Sequence, residues 1–335
     1  MSTAVAVAGV LLVGITLYAV FGGADFGAGF WALLAGGSER GKRARGLVDR
    51  AIGSVWEANH VWLIFVLVVL WTAFPSAYSS VFSTLFIPLS LAALGIVLRG
   101  SGFAFHRLAP GARERRVSQA LFGVSSLLTP FFLGTVVGAI ASGRVPLGNA
   151  AGDPVSSWLN PVSIVIGALF ILTGAYLAAV FLVSEARRAN NSELERYFAT
   201  RALIVAAATG AIALAGIFVL RADAPYIYDR LIGEALPLVI FSGLCGGALL
   251  ILLRRGARRG LRPLAVAAVT AVIWGWGVAQ YPYLLPETLT IDQGAAVSAT
   301  LIEVLVVFGV AVLLVIPALG LLYVLGQRSM LEEEG

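Results

Sequence analysis

The chain has 335 residues, of which 59% are hydrophobic and only 12% charged. A water-soluble domain carries roughly 25% charge, so this composition excludes a chain whose whole surface faces water. The formal net charge is +5, but the basic residues fall in short clusters between apolar runs, which marks membrane topology and excludes nucleic-acid binding as the leading role.

Each long apolar run is predicted to be a helix, because a bilayer crossing needs about 20 apolar residues with every backbone group bonded internally. About nine transmembrane helices are expected. The first covers 4–34, follows Met1-Ser2-Thr3 with no Lys or Arg before it, and reads as a retained helix, not a removed signal. It is long enough to tilt. The others are expected at 54–73, 79–99, 119–141, 162–184, 200–221, 235–254, 262–282 and 298–324. Pro88, Pro130 and Pro317 fall inside spans and are expected to kink them. Gly23 and Gly27, Gly134 and Gly138, and Gly243 and Gly247 have the spacing that lets helices approach closely. The fold class is therefore all-α, a polytopic membrane protein forming a single integral membrane domain over 1–335. Low complexity is confined to the Glu332-Glu333-Glu334 tail.

Lys and Arg then set the orientation. Between the first and second runs lie Arg40, Lys42, Arg43, Arg45 and Arg50; near the third-to-fourth gap lie Arg99, Arg107, Arg113, Arg115 and Arg116. The next alternate gaps hold Arg187, Arg188, Arg196 and Arg201, then Arg254, Arg255, Arg258, Arg259 and Arg262, and the tail holds Arg328. Of 23 basic residues only Arg144, Arg221 and Arg230 fall to the other side. The N-terminus is expected outside and the C-terminus in the cytoplasm.

Ionisable residues inside a membrane are costly and need a reason. Asp25, Glu57 and Glu303 fall within spans, whereas Glu185 and Arg99 are expected at cytoplasmic ends, within reach of water by snorkelling. Asp25 lies about 30 Å along the first span and Glu57 opens the second, so both are expected toward the cytoplasmic side. Such a pair suits proton entry, because low dielectric favours the protonated carboxyl. It equally suits carboxylates that bind an arginine or cap a helix, and both readings stand. The segment Trp56-Glu57-Ala58-Asn59-His60-Val61-Trp62 is the most unusual, with Glu57 and His60 on one helix face. His60 and His106 are the only histidines, and His106 is expected in a cytoplasmic loop, so spans of this chain alone are not expected to hold a bis-histidine haem and a packed His60 is expected. Cys245 is the one cysteine, which excludes a cysteine-based metal site.

Phe21-Gly22-Gly23-Ala24-Asp25-Phe26-Gly27-Ala28-Gly29 and Trp56-Glu57-Ala58-Asn59-His60-Val61-Trp62-Leu63-Ile64 resemble the first- and second-helix motifs of subunit II of the cytochrome bd quinol oxidases. Ala73-Phe74-Pro75 with Tyr78, Leu98-Arg99-Gly100-Ser101-Gly102-Phe103, Thr129-Pro130 with Gly134 and Gly138, Leu159-Asn160-Pro161 and Gly174-Ala175-Tyr176 follow in the family's order. Gly22 and Ala104 stand where the family commonly carries acids, and Glu57 where it commonly has Asp. The resemblance covers the first half of the chain. It implies two four-helix bundles plus a peripheral helix in a bacterial cytoplasmic (inner) membrane. It further implies a heterodimer with subunit I, which carries haem b and haem d, oxidises quinol and reduces oxygen to water. This chain would hold no haem, metal or catalytic residue, and would stabilise its partner. Asp25 and Glu57 would line a cytoplasmic proton path, with Asn59, His60, Arg99 and Glu303 as supporting candidates. A structural quinone, lipid contacts and small single-span accessory subunits also follow from the resemblance; nucleic acid does not. The competing reading is a proton-coupled secondary transporter using Asp25, Glu57 and Glu303, but such proteins place polar groups at the bilayer midplane.

Overall fold

The structure, a computed structural model, describes residues 2–52, 56–108 and 111–327; within these, the side chains of 52, 56–58, 103–108, 112, 113, 115, 116, 316, 319, 320 and 322–327 lie outside the description. The side chains of Glu57, Ala104 and His106 and the acidic tail Glu332–Glu334 therefore fall outside it.

The described chain is almost entirely helical. Helix α1 (Thr3–Leu17), a π-helical turn (Tyr18–Gly22) and α2 (Gly23–Leu34) make one apolar span. Ser2 caps α1 by accepting a hydrogen bond from the Val5 N–H. Then come α3 (Glu39–Ile52), α4 (Trp56–Ala73), α5 (Pro75–Thr84), α6 (Phe86–Leu108), α7 (Ala112–Ala141), α8 (Pro161–Arg188) and α9 (Ser192–Asp223). The remainder is α10 (Pro225–Ile232), α11 (Leu236–Arg254), α12 (Leu261–Gln280), a two-stranded hairpin of β1 (Tyr283–Leu285) and β2 (Leu289–Thr290), α13 (Ile291–Gly294) and α14 (Ser298–Gln327). Among the described residues 7 helices are long and apolar enough to cross a membrane, or 8 if the bent pair α4 and α5 is one span. Nine crossings would also require α6, whose apolar part Phe86–Gly102 is shorter.

The expected span at 79–99 is corrected. It is divided at Leu85, and α5 bends 118° from α4. Pro75 opens α5 after a non-helical Phe74 (φ −136°). Pro88 has no N–H to bond the Thr84 carbonyl and its ring crowds that carbonyl, so the helix ends there. Pro88 thus sits in the first turn of α6 instead of kinking a span from within, while Pro130 and Pro317 do lie inside α7 and α14. Helix α6 runs on to Leu108, well past the expected end at 99.

Hydrogen bonds sort the connecting segments into two groups. Ser2 Oγ donates to Asp292 Oδ1 (2.7 Å), the Ala296 N–H to the Ala73 carbonyl (2.8 Å), and the Ala150 N–H to Ser83 Oγ (2.7 Å). Arg144 makes a fork to both Asp223 oxygens (2.6 and 2.8 Å). All of these join arginine-poor segments to one another. At the far end of α8, Arg40 and Arg43 bond Glu193, Arg187 bonds Glu195 and the Ala257 carbonyl, and Arg262 bonds Glu185. These join arginine-rich segments. The apolar interior is divided the same way. One large buried cluster takes residues from α2, α3, α8, α9, α11 and α12, a second from α1, α4, α5, α7, α14 and the hairpin, and a small third joins Ala141, Ile227, Ala235 and Ala279.

Glycine sets how closely the central helices approach. A Cβ on Gly27 would lie 1.9 Å from the Gly174 carbonyl oxygen, and one on Gly138 2.4 Å from the Ser163 Cα. So α2 meets α8, and α7 meets α8, backbone to backbone. A Cβ on Gly243 or Gly247, which have the same spacing, would have nothing within 4 Å among the described residues. Gly27→Ala is expected to destabilise by about 3 kcal/mol, the upper end for overpacking, because the obstacle is backbone. Gly210→Ala, with open space around it, is expected to be neutral or up to about 1 kcal/mol stabilising through helix propensity. Thermal unfolding of the two purified variants in the same detergent checks this.

Candidate functional site

Asp25 opens the first turn of α2, just after the π-helical turn, and is 4% exposed. Arg99 lies thirteen residues into α6 and is 0% exposed. The Arg99 Nη2 donates to Asp25 Oδ1 at 2.7 Å and to the Asp25 carbonyl at 3.0 Å. Its Nη1 donates to Ser126 Oγ of α7 at 2.5 Å, and that hydroxyl donates onward to the Phe122 carbonyl at 2.7 Å. The guanidinium also stacks between Phe122 and Phe26, 4.2 Å and 4.9 Å from their ring centroids. Room for it comes from Gly29, where a Cβ would lie 2.0 Å from Ser126 Oγ and 3.0 Å from Arg99 Nη1.

The expectation that Arg99 reaches water at a helix end is therefore wrong. The shifted α6 puts it inside the bundle, where an uncompensated charge is costly and a single carboxylate supplies the balance. Three helices meet at this ion pair. Among the described residues, Asp25 Oδ2, Arg99 Nε and Tyr18 Oη are buried without a hydrogen-bond partner.

The other sequence candidates divide. His60 packs its ring edge-on against Phe26 (centroids 5.9 Å apart) and Tyr18 (6.4 Å), one side chain away from Asp25. Asn59 is buried beside it on α4. Glu57 lies on the first turn of α4, its side chain outside the description. Glu303 is exposed on α14 and is not brought to this cluster. The start of α14 is tied through Ala296 to Ala73, at the opposite end of α4 from His60. Glu185 holds Arg262 (2.5 Å) and Arg188 (3.2 Å) at the arginine-rich end. Ser126, Phe122 and Tyr18 were not expected from sequence. The one available signal was the polar pair Ser125-Ser126 inside an apolar run.

A bundle of long apolar helices, closed around a fully buried ion pair, is that of an integral membrane protein of the polytopic α-helical class. A sequence model of the cytochrome bd terminal oxidase subunit II family matches residues 3–325, and the chain belongs to that family. It is 24% identical over 313 residues to a candidate cytochrome bd menaquinol oxidase subunit II of Bacillus subtilis, covering 90% of this chain and 89% of that one. It is 27% identical over 135 residues to subunit 2 of the Escherichia coli cytochrome bd-I ubiquinol oxidase, covering 40% of this chain and 34% of that one. Its fold matches a chain in the structure of bd oxidase from Geobacillus thermodenitrificans with a TM-score of 0.78 and 28% identity, covering 96% of this chain and 98% of that chain. The chain is thus subunit II of a cytochrome bd-type oxidase, and the transporter reading finds no support in these matches.

If the ion pair ties α2 to α6, removing one partner leaves a buried charge. Asp25→Asn and Arg99→Leu are each expected to cost about 3–5 kcal/mol. The double variant is expected to lose clearly less than the sum, with coupling of about 1–3 kcal/mol. Denaturant titration of the detergent-solubilised oxidase measures this, and strict additivity would mean that the pair does not tie the helices.

Proposed function

We propose that this chain is the haem-free subunit of an oxidase that takes electrons from membrane quinol and reduces oxygen to water. In this reading it stabilises the haem-bearing subunit I and supplies part of the route by which cytoplasmic protons reach the oxygen site. Nine crossings with the N-terminus outside go with it, as the distribution of arginines favours.

The observation that carries the proton route is the buried Asp25–Arg99 pair. Arg99 pins one carboxylate oxygen of Asp25 and leaves Oδ2 without a protein partner among the described residues. A carboxylate held rigidly, with one oxygen available, suits passage of a proton between groups in a low-dielectric interior. Ser126, which takes a hydrogen bond from Arg99 and donates one to Phe122, fixes the guanidinium so that the pair keeps its geometry. Glu57 precedes His60 by one helical turn on α4, and His60 packs on Phe26 next to Asp25. In the proposed order, a proton enters at Glu57 from the arginine-rich side and passes along the His60 face toward Asp25. Gly22 and Ala104, which replace the family's common acids, leave water or hydroxyls to cover those steps.

Haem b and haem d would be held by subunit I and supply the electron transfer and oxygen chemistry. The donor set here agrees with that division. His60 and His106 are the only histidines in the sequence, and the described residues hold no group of three or more His, Cys, Asp or Glu able to bind a metal ion. The His60 ring is packed between Tyr18 and Phe26.

Glu57→Gln and Asp25→Asn are expected to slow quinol-dependent oxygen consumption by about tenfold or more, on the scale of a lost proton-transfer group. The haem absorption spectrum should be retained in both. Turnover at the parental rate would remove the residue from the route, and loss of haem would make its role structural. His60→Ala should keep haem content near the parental value; a missing haem in that variant means that His60 is a ligand.

A further inference from the structure

A second polar site lies at the arginine-rich end, apart from the Asp25 cluster. A pocket of about 480 Å³ opens between α3 and the first turns of α9. Its cations are Arg40, Arg196 and Arg201, and its hydroxyls are Ser192, Tyr197 and Thr200. One carboxylate, Glu193, lines it, and that group is already bonded to Arg40 (2.9 Å) and Arg43 (2.6 Å). Among the described residues, Arg196 and Arg201 have no carboxylate within ion-pair distance. Arg201 is instead held by its own helix turn. Its guanidinium lies 3.3 Å from the centre of the Tyr197 ring and donates to the Tyr197 carbonyl at 3.2 Å. The pocket therefore keeps a positive excess, with Arg201 held in place and the Ser192 and Tyr197 hydroxyls in its lining, while the Thr200 hydroxyl donates to the Arg196 carbonyl. This is the chemistry of a phosphate site.

Its depth identifies the source of the phosphate. Arg201 is the last charged residue before the uncharged stretch 202–220 of α9, so the pocket stands where headgroups meet hydrocarbon. Basic pockets at this level of a helix bundle hold anionic headgroups. We propose that the pocket between α3 and α9 binds the phosphate of an anionic phospholipid, fixing α9 against the surface helix α3 from the membrane side.

The test uses the assembled oxidase, equilibrated with vesicles of phosphatidylcholine and phosphatidylglycerol and examined by native mass spectrometry. The parental complex should retain phosphatidylglycerol selectively. Arg196→Gln with Arg201→Gln should lower its apparent affinity about 30-fold, at about 1 kcal/mol for each arginine near the surface. Arg254→Gln with Arg255→Gln, removing equal charge elsewhere on the same face, should leave it within about twofold. If the double variant fails to assemble, Arg196→Gln alone, at an exposed position, should show a loss of about fivefold. Equal loss in both double variants, or no selective retention, overturns the site. Displacement of the lipid by inorganic phosphate at concentrations that leave bulk lipid binding unchanged would assign the pocket to a soluble phosphate and overturn the lipid.

Discussion

A charged pair sealed in an apolar bundle is the constraint from which the rest of this fold takes its form. Arg99 has no route to water, so its charge must be balanced inside, and both of its Nη groups find acceptors there while Nε finds none among the described residues. Asp25 supplies the balance, Ser126 accepts from the second Nη, and two aromatic rings cover the faces of the guanidinium. Each partner comes from a different segment: Asp25 and Phe26 from α2, Ser126 and Phe122 from α7, Arg99 from α6. The pair therefore fixes the relative heights of three helices, which apolar contact alone, being non-directional, does not do.

That arrangement depends on how little space separates the helices. Gly29 clears the volume the guanidinium fills, and Gly27 lets α2 lie directly on the backbone of α8 at Gly174. Close approach raises the strength of the ion pair by excluding water, and the ion pair in turn gives the approach a register. The two sets of residues were visible in one short stretch, Gly23 to Gly29, yet their cooperation appears only when α6 and α8 are placed against it. The third glycine pair, Gly243 and Gly247, shares the spacing, but among the described residues nothing lies within 4 Å of where its Cβ atoms would stand. Spacing records that a close approach is sterically allowed; it does not record which helix makes it.

Much of the architecture was legible because charge is scarce. With 12% of residues charged, each arginine cluster carries topological weight, and the alternation of rich and poor segments matches the way those segments bond to one another across the structure. The misreading of Arg99 came from a shift in α6. The run 79–99 looks continuous in hydropathy, but Pro88 forbids the bond from its own position to Thr84, so the helix restarts at Phe86 and extends to Leu108. A residue placed at a helix end by counting apolar residues is then found at its middle. Ser126 and Phe122 were beyond reach for a different reason: a serine and a phenylalanine in an apolar run have many ordinary roles, and only the third dimension joins them to Arg99.

Glu303 marks the limit of arguing from charge and depth alone. From sequence it stood with Asp25 and Glu57 as an intramembrane acid, and the three could have formed one relay. The structure separates them. Asp25 is enclosed with its counter-charge inside the bundle, while Glu303 is exposed on α14 among exposed Ile302, Val306 and Val307. A carboxylate on an apolar outer face is governed by what lies beyond the chain, and one in the core by what the chain itself provides. Similar residues at similar cost thus answer to different neighbours, so the proton route proposed for this subunit rests on the enclosed group and not on the number of acids in its spans.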